Sequence, residues 1–173
     1  SGAVTFGGNV TNDGEISGSS GEITFSGTYR SSTNATAKLT ASSGNTYFSS
    51  NADFSYTTFT ANGGIVLFSS TATTGQKLTL SNNTVSFNEI TIQTSAGGFT
   101  AEGTETGNLS AKKLTLASTN AGAVFNVPVT AETIENTGGS FNITFNAATK
   151  VSDITNPVIF GTTGMLTLGN DTT

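Results

Sequence analysis

Three carboxylate pairs stand close enough in sequence to share work: Asp13 with Glu15, Glu102 with Glu105, and Glu132 with Glu135. Two carboxylates flanking a glycosidic bond suffice for glycoside cleavage. Residues two apart on a strand lie on one face, which suits Asp13 and Glu15. Carbohydrate-cleaving β-helices also gather Arg, Lys or His around their acids. This chain offers a single Arg, Arg30, with no acidic cluster next to it, and no His. The pairs therefore read as solvated surface charges. Asn12, Asp13 and Glu15 suggest a loose oxygen site for calcium, but no EF-hand loop or calcium-binding nonapeptide is present, and a hydrated turn is the simpler reading. Without His or Cys there is no imidazole base and no zinc set. Gly-x-Ser-x-Gly and Gly-x-x-x-x-Gly-Lys-Ser are missing too. The expectation is a non-enzymatic chain with no catalytic residue, cofactor or metal, whose ligand-binding residues the sequence leaves unknown.

Other polar groups invite the same weighing. Asn-x-Ser/Thr sequons start at Asn9, Asn34, Asn82, Asn108, Asn142 and Asn170. In a chain this rich in Asn, Ser and Thr most arise by chance, and Asn142 falls inside a predicted strand. Thr5, Thr24 and Thr144 hint at the hydroxyl column of an ice-binding face, but Leu67 and Ser86 interrupt it. The six basic residues are scattered, with only Lys112 and Lys113 adjacent, and the formal net charge is −5. Nucleic acid and anionic membrane surfaces both need clustered cations, so neither is an expected partner.

The elements that hold these groups follow from composition and period. Charged residues make up 10% of the 173 and hydrophobic ones 34%. Both shares are low for a globular domain, and low charge also argues against disorder. Thr, Ser, Asn and Gly fill the gap, and these favour pleated surfaces and turns. One domain, residues 1–173, is expected. No stretch approaches the roughly 18–20 apolar residues of a membrane span, so membrane insertion is not expected. The opening Ser1-Gly2-Ala3 runs straight into pattern, and the chain reads as a segment excised from a longer repeat protein.

A three-residue unit ending in Phe recurs as Val4-Thr5-Phe6, Ile23-Thr24-Phe25, Thr46-Tyr47-Phe48, Val66-Leu67-Phe68, Val85-Ser86-Phe87, Ala123-Val124-Phe125 and Ile143-Thr144-Phe145. The gaps between these Phe are 19, 23, 20, 19, 38 and 20 residues. The 38 reads as two periods with a Phe missing near Thr106. A second anchor leads each unit: Ile16, Leu39, Phe59 and Leu78 nine residues ahead, Leu114 and Ile134 eleven ahead. A period of 19–20 residues accommodates two or three short strands, and one such coil cannot bury its own apolar face. Stacked coils can, with equivalent Phe rings in one internal column. The prediction is an all-β solenoid, a parallel β-helix of about eight coils, roughly 40 Å long at strand spacing. An antiparallel β-sandwich is the alternative, although it gives no reason for a Phe every 19–20 residues. Two places loosen the period. Thr28 to Ala37 predicts a longer turn bulging from one coil. Ala96 to Lys112 predicts either a coil that uses Leu109 or an outward loop.

The run Gly8-Asn9-Val10-Thr11-Asn12-Asp13-Gly14-Glu15-Ile16 with Gly21-Glu22-Ile23-Thr24-Phe25 resembles passenger segments of bacterial autotransporters and adhesins of the filamentous-haemagglutinin type. The likeness is one of repeat style and covers most of the chain. The Gly-Gly-aliphatic run Gly63-Gly64-Ile65 is similar to chlamydial polymorphic membrane proteins, whose Phe-x-x-Asn repeat is not matched. The resemblance implies a right-handed β-helix, secreted or on the bacterial cell surface, serving as stalk, adhesin or toxin scaffold. Its implied partners are neighbouring coils of the same longer chain and a host-cell glycan or protein. A carbohydrate-binding or carbohydrate-cleaving β-helix is the alternative function.

Overall fold

Runs such as Ile23-Thr24-Phe25 and Ile143-Thr144-Phe145 put two large apolar side chains on one side of an extended backbone and a hydroxyl on the other. Both are strands with the outer residues buried and the middle one part-exposed. The computed structural model describes residues 2–32, 37–80, 83–103, 106–151, 159–160 and 164–168. No helix occurs among them.

The first sheet runs β1 (Val4–Phe6), β4 (Ile23–Phe25), β7 (Asn45–Phe48), β10 (Ile65–Phe68), β12 (Thr84–Thr94), β14 (Asn108–Thr119), β16 (Val129–Asn136) and β18 (Thr149–Val151), with β19 (Ile159–Phe160) also paired to β16. The second runs β2 (Val10–Asn12), β5 (Tyr29–Ser31), β8 (Ala52–Asp53), β11 (Gln76–Thr79), β13 (Phe99–Glu102), β15 (Ala123–Phe125), β17 (Ile143–Phe145) and β20 (Leu166–Leu168). A short third sheet holds β3 (Glu15–Ser17), β6 (Ala37–Thr40) and β9 (Thr57–Thr60). Every ladder among the described residues is parallel. From β1 to β18, successive strands in the chain thus lie in different sheets, and each wall is built by coming round again. The fold is a β-solenoid, and the antiparallel sandwich is ruled out.

The register counts the turns. Val4, Ile23, Thr46, Val66, Ile90, Leu114 and Ile134 face one another in sequence along the first sheet. Each step from one of them to the next is a full circuit, which makes about six turns rather than eight. The circuits from Val66 to Ile90 and from Ile90 to Leu114 are the longest. A uniform period underestimates these middle turns and so overcounts the coils. Six turns at about 4.8 Å per rung span roughly 29 Å.

From the fourth turn the third wall changes character. The first half of β12 occupies the third-wall position and its second half pairs with β10 in the first sheet. Its inside–outside alternation slips once, at Asn88 and Glu89, where two outward residues follow one another. The same slip falls at Lys112 and Lys113 in β14, and at Glu132 and Thr133 in β16. A strand that turns a corner needs this double step to keep its apolar residues inside. That accounts for the one adjacent basic pair in the sequence.

The Phe residues do not form the single column that their spacing predicts. Phe6, Phe25, Phe48 and Phe68 do share a register column, with centroids 5.0, 4.9 and 5.3 Å apart and planes within 16°. The next two places in that column belong to Ile92 and Leu116. Aromatic contact instead crosses the interior. Phe68 meets Phe99 of the second sheet edge-on at 5.4 Å, and Phe99 leads to Phe125 and then Phe145. Phe99 therefore fills the gap assigned to a missing Phe near Thr106. Phe87 joins by another route: it lies against Phe59 on the third wall at 5.0 Å, and Phe59 stacks on Phe54, which meets Phe48 edge-on. The leading anchors divide likewise. Ile16, Leu39 and Phe59 pair on the third wall, Leu78 lies on the second sheet, and Leu114 and Ile134 lie on the first. All three walls present an apolar-x-apolar face, so equal spacing joined residues from different walls.

Candidate functional site

The acidic pairs weighed in the sequence each resolve into local structure. Asn12 is buried: its amide donates to the Tyr29 hydroxyl and to the Lys38 carbonyl, both at 3.0 Å, and its oxygen accepts from the Gly14 N–H. It is thus an internal link between turns rather than part of an exposed oxygen site. Asp13 lies in the bend between β2 and β3, so it shares no strand face with Glu15. Its carboxylate accepts from the Ser32 N–H at 3.1 Å, one turn away, while Glu15 accepts from the Ser17 hydroxyl.

Glu102 ends β13 and pairs with Lys77 of the neighbouring turn at 3.2 Å. Glu105, its sequence partner, lies outside the described residues. Glu132 stands at the corner of β16, whereas Glu135 faces outward further on and meets Lys113 at 2.7 Å and the Thr115 hydroxyl at 3.2 Å. The hydrogen bond that Lys113 donates to Glu135 raises the Lys113 pKa above its ordinary value; burial opposes this, and the charges of Glu135 and Glu89 add to the rise. Exposed pairs of this kind contribute little stability. Arg30, on the outer face of the second sheet, donates to the Thr11 hydroxyl at 3.3 Å and faces Asp53 in register. Asp53 in turn accepts from the N–H and hydroxyl of Ser55. Among the described residues, no three carboxylate, His or Cys groups gather as a metal set.

The loosened segments also find places. Thr28 to Ala37 includes residues 33–36, which are outside the described ones, and its lengthening falls between β5 and β6. Ala96 to Lys112 does not loop outward as a unit. Phe99, Ala101 and Leu109 in it are buried; Leu109 takes a core position between Val85 and Val129 rather than the missing Phe's place, since the register partner of Phe87 is Ala111.

Of the sequons, Asn34, Asn82 and Asn170 lie outside the described residues. Asn9 accepts from the Thr28 N–H at 2.9 Å and Asn142 from the Met165 N–H at 3.0 Å, each joining consecutive turns. Asn142 precedes its strand rather than lying in it. The Asn108 side-chain oxygen is buried. Thr5 and Thr24 are register neighbours on the first sheet, followed by Tyr47 and Leu67, but Thr144 is on the second sheet beside Val124 and Thr167. Ser86 is on the third-wall half of β12. The three Thr therefore form no common face.

Polar residues missed by sequence reasoning do the internal joining. Gln76 is buried on the inner face of β11, where the next two turns carry Phe99 and Ala123. Its amide donates to the carbonyls of Phe48 and Ser50 at 2.7 and 2.6 Å and accepts from the Ser70 N–H at 3.1 Å. Ser42 is buried too, and its hydroxyl donates to the Ser19 and Gly21 carbonyls. No spacing rule marks such residues, because they replace apolar ones inside the same pattern.

One concave feature lies on the corner strands. A groove of about 350 Å³ is lined by Ser86, Ser110 and Thr130, which face one another in register, and by Lys112 and Glu132. No helix among the described residues is long and apolar enough to cross a membrane. No protein-family model matches the chain, and no curated protein or solved structure matches it. The class defined by the geometry is the β-solenoid.

Proposed function

We propose that this chain is a non-enzymatic structural and adhesive segment of a bacterial passenger protein, displayed at the cell surface or secreted. The observation that carries the reading is the way its polar groups are used. Asp13, Glu102 and Glu135 each bind a group one turn away, and Asn9, Asn51 and Asn142 cap backbone N–H groups of the following turn. Side chains spent on holding turns together suit a rod that spaces or presents other surfaces. The outer faces offer hydroxyls and amides over many rungs, which suits dispersed contacts with a host-cell glycan or protein. Antibody labelling of intact producing cells, with the culture medium assayed in parallel, tests the location. Signal on unbroken cells or in the medium is expected; signal confined to lysed cells would overturn the reading.

The corner groove favours a second reading, carbohydrate binding. Its Ser-Ser-Thr hydroxyls recur at strand spacing along the rod axis, beside one cation and one anion. A polysaccharide lying along the axis would meet repeated hydrogen-bonding groups. A glycan array with the purified chain tests this, and binding to no glycan would remove it.

A further inference from the structure

Asn62 is followed by Gly63, the one Asn-Gly step in the sequence. Such a step can close on itself. The backbone nitrogen of the second residue attacks the side-chain amide carbon of the first, a C–N bond forms, and ammonia leaves. Water then opens the five-membered imide at either carbonyl, giving aspartate or isoaspartate. Glycine favours the attack because it has no Cβ to crowd the nitrogen. The reaction also needs a free side-chain amide and an N–H that no acceptor holds.

The bend between β9 and β10 meets each need. Asn62 and Gly63 are both exposed there. Among the described residues, no hydrogen bond holds the Asn62 side chain or the Gly63 N–H. Gly63 has φ 77°, and an added Cβ would meet nothing within 4 Å. Other Asn side chains are committed: Asn9, Asn12, Asn51, Asn88 and Asn142 each bind a group in another turn. Asp13-Gly14, the one Asp-Gly step, can form the same imide by losing water. It is tied on both sides. The Gly14 N–H donates to Asn12 Oδ1 at 3.1 Å, and the Asp13 carboxylate accepts from the Ser32 N–H at 3.1 Å.

We infer that Asn62 is a self-modification site of the folded chain, converted with water as the only co-reactant to aspartate and isoaspartate. The fold gives the change a consequence. The Gly63 carbonyl accepts from the Asn88 amide of the following turn at 2.7 Å. Gly64 is pressed onto the preceding turn, where an added Cβ would collide with the carbonyls of Gly44 and Ser42. Isoaspartate carries the main chain through one extra carbon. With Gly64 fixed, the added length displaces Gly63 and breaks its bond to Asn88. The entry to β10 is loosened in one direction only, since water does not restore the amide.

The test holds the purified folded chain at mildly alkaline pH for days, beside a sample unfolded in urea. Peptide mapping by mass, with fragmentation that separates aspartate from isoaspartate, reads both. In the folded chain the peptide with Asn62 is expected to gain the small mass of an amide turned to an acid, with isoaspartate among the products, while Asp13 stays unchanged. In the unfolded chain both steps are expected to react. The aged folded chain is expected to be cut faster than the fresh one in the bend before β10 by a protease of broad specificity. Asn62→Gln is expected to show neither change, because its imide would need a six-membered ring. An Asn62 that reacts only after unfolding overturns the inference, as does isoaspartate appearing at Asp13 equally fast in the folded chain. Equal cleavage of aged and fresh chains overturns the loosening.

Discussion

Tyr29 is fully buried, yet its hydroxyl accepts from Asn12 and contacts Thr57 at 3.3 Å, so one phenol links three turns across the interior. Burial raises its pKa above 10.0, and the hydrogen bonds with Asn12 and Thr57 only partly offset this. Burial disfavours phenolate, so the unfolded chain gives up this proton first. The stability tied to the neutral phenol is therefore complete below pH 10.0 and falls as pH rises through the higher folded value. Urea midpoints between pH 8 and 11 should drop more steeply above pH 10 for the unaltered chain than for Tyr29→Phe. Parallel curves would contradict this. Gln76 and Ser42 make the same point about polar residues inside a solenoid: they are tolerated because each of their buried bonds is made.

At the scale of elements, the sequence told much about strand chemistry and little about strand partners. Val-Thr-Phe, Ile-Thr-Phe and their relatives were legible as strands because alternation on an extended chain leaves few alternatives. The wall to which each strand belongs was not legible. Phe68 and Phe87 are spaced like consecutive rungs, but the rung after Phe68 holds Ile92, further along the chain than Phe87. Turn length varies with the corner taken, and composition does not reveal it. The shared face expected of Asp13 and Glu15 is absent for a similar reason. Asp13 and Glu15 share a face only if both lie in one strand, and a bend separates them. The stacks predict a graded cost. Phe68 is fully buried, with Phe48 stacked on one side and Phe99 edge-on, so Phe68→Ala should cost about 3–5 kcal/mol. Phe6 is part-exposed, with Phe25 as its one ring contact among the described residues, so Phe6→Ala should cost less, roughly 1–2 kcal/mol. Equal losses in urea unfolding would mean that Phe6 is covered as fully as Phe68.

For the whole molecule, parallel stacking sets the shape. Each turn contacts its neighbours, so stability accumulates along the axis and the outer walls repeat at strand spacing. That geometry suits a rod with distributed contacts. The central claim is the register, in which turns of unequal length decide which residues lie side by side in mid-rod. The chain has no Cys, so paired Cys substitutions report on it without interference. Thr91 and Thr115 face each other on adjacent strands of the first sheet, with Cα atoms about 4.8 Å apart, within reach of a disulfide. Ser110 is the partner of Thr91 that a uniform period would give, but it pairs with Ser86 on another wall. Mild oxidation followed by peptide mass mapping is the direct measurement. Thr91→Cys with Thr115→Cys should form an intramolecular disulfide rapidly, and Thr91→Cys with Ser110→Cys should not. Cross-linking of the second pair in preference to the first would contradict the register and the solenoid built on it.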